Sequence, residues 1–186
     1  MTPDITTDRL RITPLQQSDA AALFGYSSQE QIARFQSWVP QSADEAAALI
    51  DRSAAIPFNQ NETWFLLAVR SARTGELLGD LGVHFVGDDG QQVEIGFAMS
   101  PAHQRQGFAK EATRALLDHL FSVLNKHRVY ASVDPSNEAS LALLRSLGMR
   151  QEAHFRQSLF WKGAWVDDVV FGVLRSEWLE RAPTAS

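Results

Sequence analysis

Apolar and polar positions along this chain follow an order that reads strand, two helices, three strands, helix, strand, helix, two strands. Residues 9–14 alternate as a half-buried strand, and Ser18-Asp19 predicts the cap of a helix over 20–26. Ser42 predicts the cap of a second helix that runs to Ala55, where Pro57 stops it. The stretch between them, 34–40, is aromatic without a clean period. Residues 64–69 form a continuous apolar run, a buried strand. A turn at 71–75 leads to a strand over 77–86, weakened by Gly79 and Gly82, and 87–90 closes a hairpin into the strand 93–99. A long amphipathic helix follows from Gly107 to about Leu124, then a strand over 127–133 ended by Asp134-Pro135. A short helix over 137–147 has Gly148 just past its C-cap, and two strands, about 150–160 and 166–174, meet at Lys162-Gly163-Ala164.

Antiparallel strands followed by strand–helix–strand predict an α/β protein of the α+β type, with a mixed, mostly antiparallel sheet and helices packed on it. The crossover sets the strands around Glu94 and Val129 side by side and parallel. With no repeat or linker, the 186 residues fit one domain, 1–186 with a core over about 7–178. A chain of this length buries roughly 70% of its unfolded surface.

Composition narrows the function. A net charge of -5 argues against general nucleic-acid binding and suits an amine or cationic peptide partner. No cysteine is present, so thiolate metal sites and covalent thiol chemistry are excluded. His84, His103, His119, His127 and His154 show no metal-ligand spacing, so no metal is expected and each histidine defaults to a structural or surface role. No 18-residue apolar run occurs and the opening residues are polar, which predicts no membrane span and a cytoplasmic protein.

The chemistry concentrates where the 93–99 strand meets the long helix. In Gln104-Arg105-Gln106-Gly107-Phe108-Ala109 small residues let the backbone approach an anion. The unpaired N–H groups and positive dipole end of the helix then point at it, with Arg105 and Lys110 adding full charge. Neither G-x-G-x-x-G nor a Gly-Lys-Ser/Thr P-loop is present, which sets aside a nucleotide-binding Rossmann domain. The loop resembles the acyl-CoA pyrophosphate loop of the GNAT N-acetyltransferase superfamily. Thr7-Asp8-Arg9-Leu10-Arg11-Ile12-Thr13-Pro14-Leu15, Asp134-Pro135-x-Asn137-x-x-Ser140, Ser146-Leu147-Gly148-Met149, and Trp161-Lys162-Gly163-x-Trp165-Val166-Asp167-Asp168 with Trp178 resemble its RimJ/RimL-like branch. That branch is named for ribosomal-protein N-terminal acetyltransferases. The resemblance covers about Thr7 to Trp178.

The resemblance implies the GNAT fold, with a central parallel strand pair that splays to admit acetyl-CoA. Backbone groups of Phe97, Ala98 and Met99 would bond its pantetheine arm as though it were another strand. The segment Gln104, Arg105, Gln106, Gly107, Phe108, Ala109 and Lys110 would hold its pyrophosphate. Gly96 in mid-strand signals a bulge, a close ligand approach or a packing glycine. Asn137 binds pantetheine or caps its helix. Glu94 shares a strand face with Gly96 and Ala98 and matches the family's catalytic base, against the alternative of an exposed rim carboxylate. Ser140 matches the RimL-type hydroxyl that meets the departing thiolate, or else bonds its own backbone. The tyrosine that many members place four residues before the helix-ending glycine is replaced here by Leu144.

Phe35, Trp38 and Trp64 fall where the family's variable acceptor pocket forms, and Trp161, Trp165 and Asp167 lie on the hairpin that borders it. Core packing is the alternative for the aromatics. The function so implied is direct acetyl transfer from acetyl-CoA to a primary amine, either a peptide N-terminus or a small amine, by a monomer or homodimer. The alternative is a non-catalytic acyl-CoA-binding sensory domain.

Overall fold

The computed structural model describes residues 2–180, so the expected span of 1–186 extends past it at both ends. Eight strands form one sheet in the order β1-β2-β3-β4-β5-β6-β8-β7. They are β1 (Ile5–Thr6), β2 (Leu10–Pro14), β3 (Thr63–Ser71), β4 (Leu77–Val86), β5 (Gln92–Met99), β6 (Arg128–Val133), β7 (Arg150–Trp161) and β8 (Ala164–Leu174). The helices are α1 (Ala20–Ser27), α2 (Glu30–Ala33), α3 (Ala43–Ala54), α4 (Phe108–Ser122), α5 (Glu138–Ser146) and α6 (Arg175–Leu179). Strands β5 and β6 pair in parallel and the neighbours around them are antiparallel, which is the expected mixed sheet.

Period-two alternation sends successive side chains to two cores. Phe65, Leu67 and Val69 join the larger cluster with Leu116, Leu117, Leu120 and Phe121 of α4 and Leu141 and Leu144 of α5. Ala68 and Ala98 face the other way, against Leu23 and Tyr26 of α1 and Ala46 and Ile50 of α3. Helices therefore cover both faces. Among the described residues, no helix is long and apolar enough to cross a membrane.

Several local expectations are met. Ser42 caps α3 by accepting the Glu45 N–H, and Gly148 takes the left-handed conformation (φ 72°) just past α5. Others differ. Asp19 does not cap α1 through its side chain. Its carboxylate instead accepts the Gln16 N–H and pairs with Arg70 of β3, an ion pair that no local pattern could announce. Gly79 and Gly82 leave β4 unbroken over 10 residues. The short elements β1, α2 and α6 carry too few residues to show a period.

Candidate active site

Parallel pairing of β5 with β6 stops at Glu94–Tyr130, although β5 continues to Met99 and β6 to Val133. Beyond that point the edges facing each other have no strand partner, and the gap opens into a cavity of about 830 Å³. Its walls are Glu94 to Ala98 on one side and Ala131 to Val133 on the other, under a cover that includes Phe35, Trp38 and Leu49. A Cβ placed on Gly96 would meet nothing within 4 Å, and its register against Gly82 is uninterrupted. Gly96 is therefore neither a bulge nor a packing glycine. It leaves the strand bare at the cavity floor, where a ligand can approach the backbone closely.

Glu94 sits in a row of side chains on four adjacent strands, because Trp64, His84, Glu94 and Tyr130 are successive cross-strand partners. The Tyr130 hydroxyl donates to Glu94 Oε2 at 3.4 Å, and His84 Nδ1 lies 3.7 Å from that same oxygen. His84 Nδ1 is buried without a hydrogen-bond partner, and its ring stacks on Trp64 with centroids 5.0 Å apart. Burial, with the Glu94 charge adding to it, pushes the Tyr130 phenol up despite the opposing Arg128 guanidinium. Tyr130 is thus a fixed donor at neutral pH. The histidine was read as structural from sequence, yet the 87–90 hairpin turn already fixes a register that sets His84 beside Glu94.

On the far wall, Asn137 caps α5 by accepting the Ser140 N–H at 3.2 Å. The cap occupies Oδ1, which leaves the amide N–H groups of Asn137 toward the cavity that it lines. Ser140 also lines the cavity, and its hydroxyl has no hydrogen-bond partner among the described residues, unlike the self-satisfied serine that was the alternative. Leu144 is fully buried in the larger core.

The loop after β5 lies outside this cavity and is built from backbone conformation. Arg105 and Gly107 both take left-handed φ, 60° and 83°, and no side chain caps the first turn of α4. The N–H groups of that turn have no capping side chain. Gln104 donates to the Met99 carbonyl at 3.1 Å, tying the loop to the end of β5. Arg9, which sequence reasoning passed over, braces the loop from β2's side of the sheet. It donates to the Gln106 carbonyl at 3.1 Å, covers the Phe108 ring at 4.6 Å and pairs with Glu111 at 2.6 Å.

Residues 9–150 match the acetyltransferase (GNAT) domain family. The chain belongs to the GNAT acetyltransferase family. It is 30% identical over 176 residues to an uncharacterized N-acetyltransferase, YoaA, of Bacillus subtilis (strain 168), covering 94% of this chain and 98% of that one. It is 23% identical over 177 residues to a spermidine N(1)-acetyltransferase of Escherichia coli (strain K12), covering 94% and 91%. A solved GNAT-family acetyltransferase from Bacillus anthracis superposes with a TM-score of 0.83 at 22% identity, over 95% of this chain and all of that one. At 18% identity the ribosomal-protein-S5-alanine acetyltransferase from Vibrio fischeri shares the fold, with a TM-score of 0.79 over 95% and 98% of the two chains. Both the family and its fold make the chain an N-acetyltransferase of the class that generally uses acetyl-CoA.

Within this GNAT fold the remaining candidates divide. Phe97, Ala98, Phe35, Trp38, Trp64 and Trp161 line the cavity. Met99 does not; its side chain is buried in the larger core. Trp165 is 60% exposed and packs edge-on against Phe160, while Asp167 bonds His154 and the Gln157 N–H on the same hairpin. Neither lines the cavity, although Trp161 of the same hairpin does. One lining residue went unremarked in the sequence: Asp80 of β4, half-buried and hydrogen-bonded by the Tyr26 hydroxyl of α1.

Proposed function

We propose that this GNAT chain transfers an acetyl group from acetyl-CoA to the primary amine of a small cationic acceptor, by direct attack without an acyl-enzyme. The observation that carries the reading is a cavity that joins the open β5 edge to four carboxylates, Glu62, Asp80, Glu94 and Asp134, against one cation, Arg52, among the described residues. The fit of the thioester arm rests on bare Gly96, the unpaired strand edges and the left-handed Gly107. The spermidine acetyltransferase among the relatives supports a small amine. The N-terminal, Asp-Pro-x-Asn and Trp-Lys-Gly motifs resemble those of the RimJ/RimL-like branch, which adds peptide N-termini as the second acceptor class to assay.

The thioester supplies an activated acyl carbon. The acceptor arrives as an ammonium ion, and Glu94, reached directly or through one water, takes its proton. An α-amine costs about 1–1.5 kcal/mol to deprotonate at pH 7 and a lysine-like amine roughly 4.6. A carboxylate base therefore matters most for an alkylamine. The free amine then attacks the acyl carbon, a C–N bond forms, and the C–S bond breaks. Tyr130 holds Glu94 by its hydrogen bond, and His84, stacked on Trp64, stands beside that carboxylate in the row of four strands. Asn137 positions the pantetheine arm, and Ser140 donates a hydrogen bond to the departing sulfur and relays to it the proton that the nitrogen sheds as the amide forms. The test is thiol release from acetyl-CoA with a panel of primary amines and peptides. Amine-dependent release by the wild type and its loss in Glu94→Gln are expected. Cofactor binding without turnover of any acceptor would instead favour an acyl-CoA sensor.

A further inference from the structure

The inner end of the cavity holds a carboxylate that the fold itself does not require. Asp80 stands on β4 directly across from Ala98, under α1, and accepts one hydrogen bond from Tyr26. Among the described residues no cation pairs with it. The nearby Arg70 guanidinium is committed to Asp19 at 2.7 Å and to Thr13 at 3.3 Å. Arg52, the cation among the described lining residues, is exposed and lies on α3. Burial lifts the Asp80 carboxyl to about 6, with the Tyr26 hydrogen bond opposing that shift, so it is charged at neutral pH. An asparagine could accept the same hydrogen bond without burying a charge.

Asp80 and Glu94 share one sheet face. Glu94 lies four residues back along β5 from Ala98, which sets the two backbones roughly 13 Å apart. Between them on that face stand Gly82 and Gly96, cross-strand partners that contribute no side chain, with Leu66 and Leu23 beside them in the lining. The surface thus runs carboxylate, smooth apolar trough, carboxylate. It complements an alkyl chain with an ammonium group at each end, and it repels an acceptor with a distal carboxylate.

We infer that Asp80 binds the distal ammonium of a linear diamine or polyamine whose other amine is acetylated beside Glu94. This deepens the acetyl-transfer reading and rests on it. The test measures thiol release from acetyl-CoA with linear diamines from ethylenediamine to diaminodecane, each against the monoamine of equal chain length, in the wild type and in Asp80→Asn. Tyr26 can still donate to the new amide, and near-UV circular dichroism checks that the variant is folded. The diamine-to-monoamine ratio of kcat/KM should rise with length, reach about tenfold once the ammonium groups are on the order of 10 Å apart, and collapse in Asp80→Asn. A ratio near one at every length, or one that survives in Asp80→Asn, overturns the inference and leaves acetyl transfer standing. Failure of every amine to elicit thiol release, while acetyl-CoA still binds, overturns the acetyl-transfer reading and this inference with it.

Discussion

The two sides of the cleft are made in opposite ways. The proposed cofactor side, from Gly96 through Gln104 to the start of α4, offers backbone: a bare strand, two left-handed residues and a helix end without a capping side chain. The proposed acceptor side offers side chains from four strands and α1, aligned only because the sheet puts Trp64, His84, Glu94 and Tyr130 in register. Backbone can bind what every member of a family shares, since main-chain groups do not vary with sequence. Selectivity for an acceptor needs groups that do.

The largest effect should come from the side-chain half. Glu94→Gln keeps the shape and removes the base, and we expect kcat to fall about 10²- to 10³-fold with an alkylamine while acetyl-CoA affinity is kept. The loss should shrink with an α-amine, whose deprotonation costs about 3 kcal/mol less. Steady-state kinetics with both amine types checks this, and an equal loss for both would show that Glu94 does something other than take the proton.

The backbone half should break at Gly107. At φ 83°, with the Arg9 guanidinium 3.4 Å from where a Cβ would stand, valine is strained whatever the ligand does. That strain is about 1–3 kcal/mol, and acetyl-CoA affinity should fall about tenfold or more. Gly107→Asn separates two causes, because asparagine tolerates the left-handed region yet still carries a Cβ. If calorimetry finds that asparagine restores stability and not affinity, close approach of the ligand is what the glycine serves. If it restores both, conformation alone is.

The same division explains what could be read in the sequence. Gly107 and the Gln104–Ala109 spacing stood out because a left-handed backbone favours a particular residue type, and Gly96 stood out because a strand interior seldom lacks a side chain. Asn137 and Ser140 were legible because a strand end and helix start bracket them. Asp80 and Tyr26 were not, since a polar residue on an ordinary strand or helix announces nothing until α1 is laid across the sheet. Arg9 lies 97 residues before the Gln106 carbonyl it holds, and nothing local to either one links them. His84 was within reach through hairpin register, but a lone histidine carries too little pattern to prompt the exercise.

Asp80 sharpens the comparison through stability. Its folded pKa of about 6 lies above the ordinary 3.8. The carboxyl therefore favours the folded state below about pH 4, and that advantage is lost as pH rises through 6. Asp80→Asn should match the wild type in stability near pH 4 and exceed it by about 1–3 kcal/mol at pH 7.5. Thermal melts at the two pH values measure it. A variant no more stable at pH 7.5 would mean that the charge is solvated in the cavity, and that the acceptor side carries no stored strain.

The smallest effect should be at Ser140. A thiol with pKa near 8.5 leaves at pH 7 with only about 2 kcal/mol at stake, so a hydroxyl donor can contribute little more than that. Ser140→Ala should lower kcat about three- to tenfold at pH 7, and α5 should keep its stability because the Asn137 cap uses the Ser140 N–H and not the hydroxyl. Above pH 8.5 the thiolate leaves without a proton, so the ratio of wild-type to variant kcat should decline toward one. A ratio that stays constant across pH 6.5–9 would assign the serine to positioning the thioester arm. It would then move from the side-chain half of the cleft to the half that only binds.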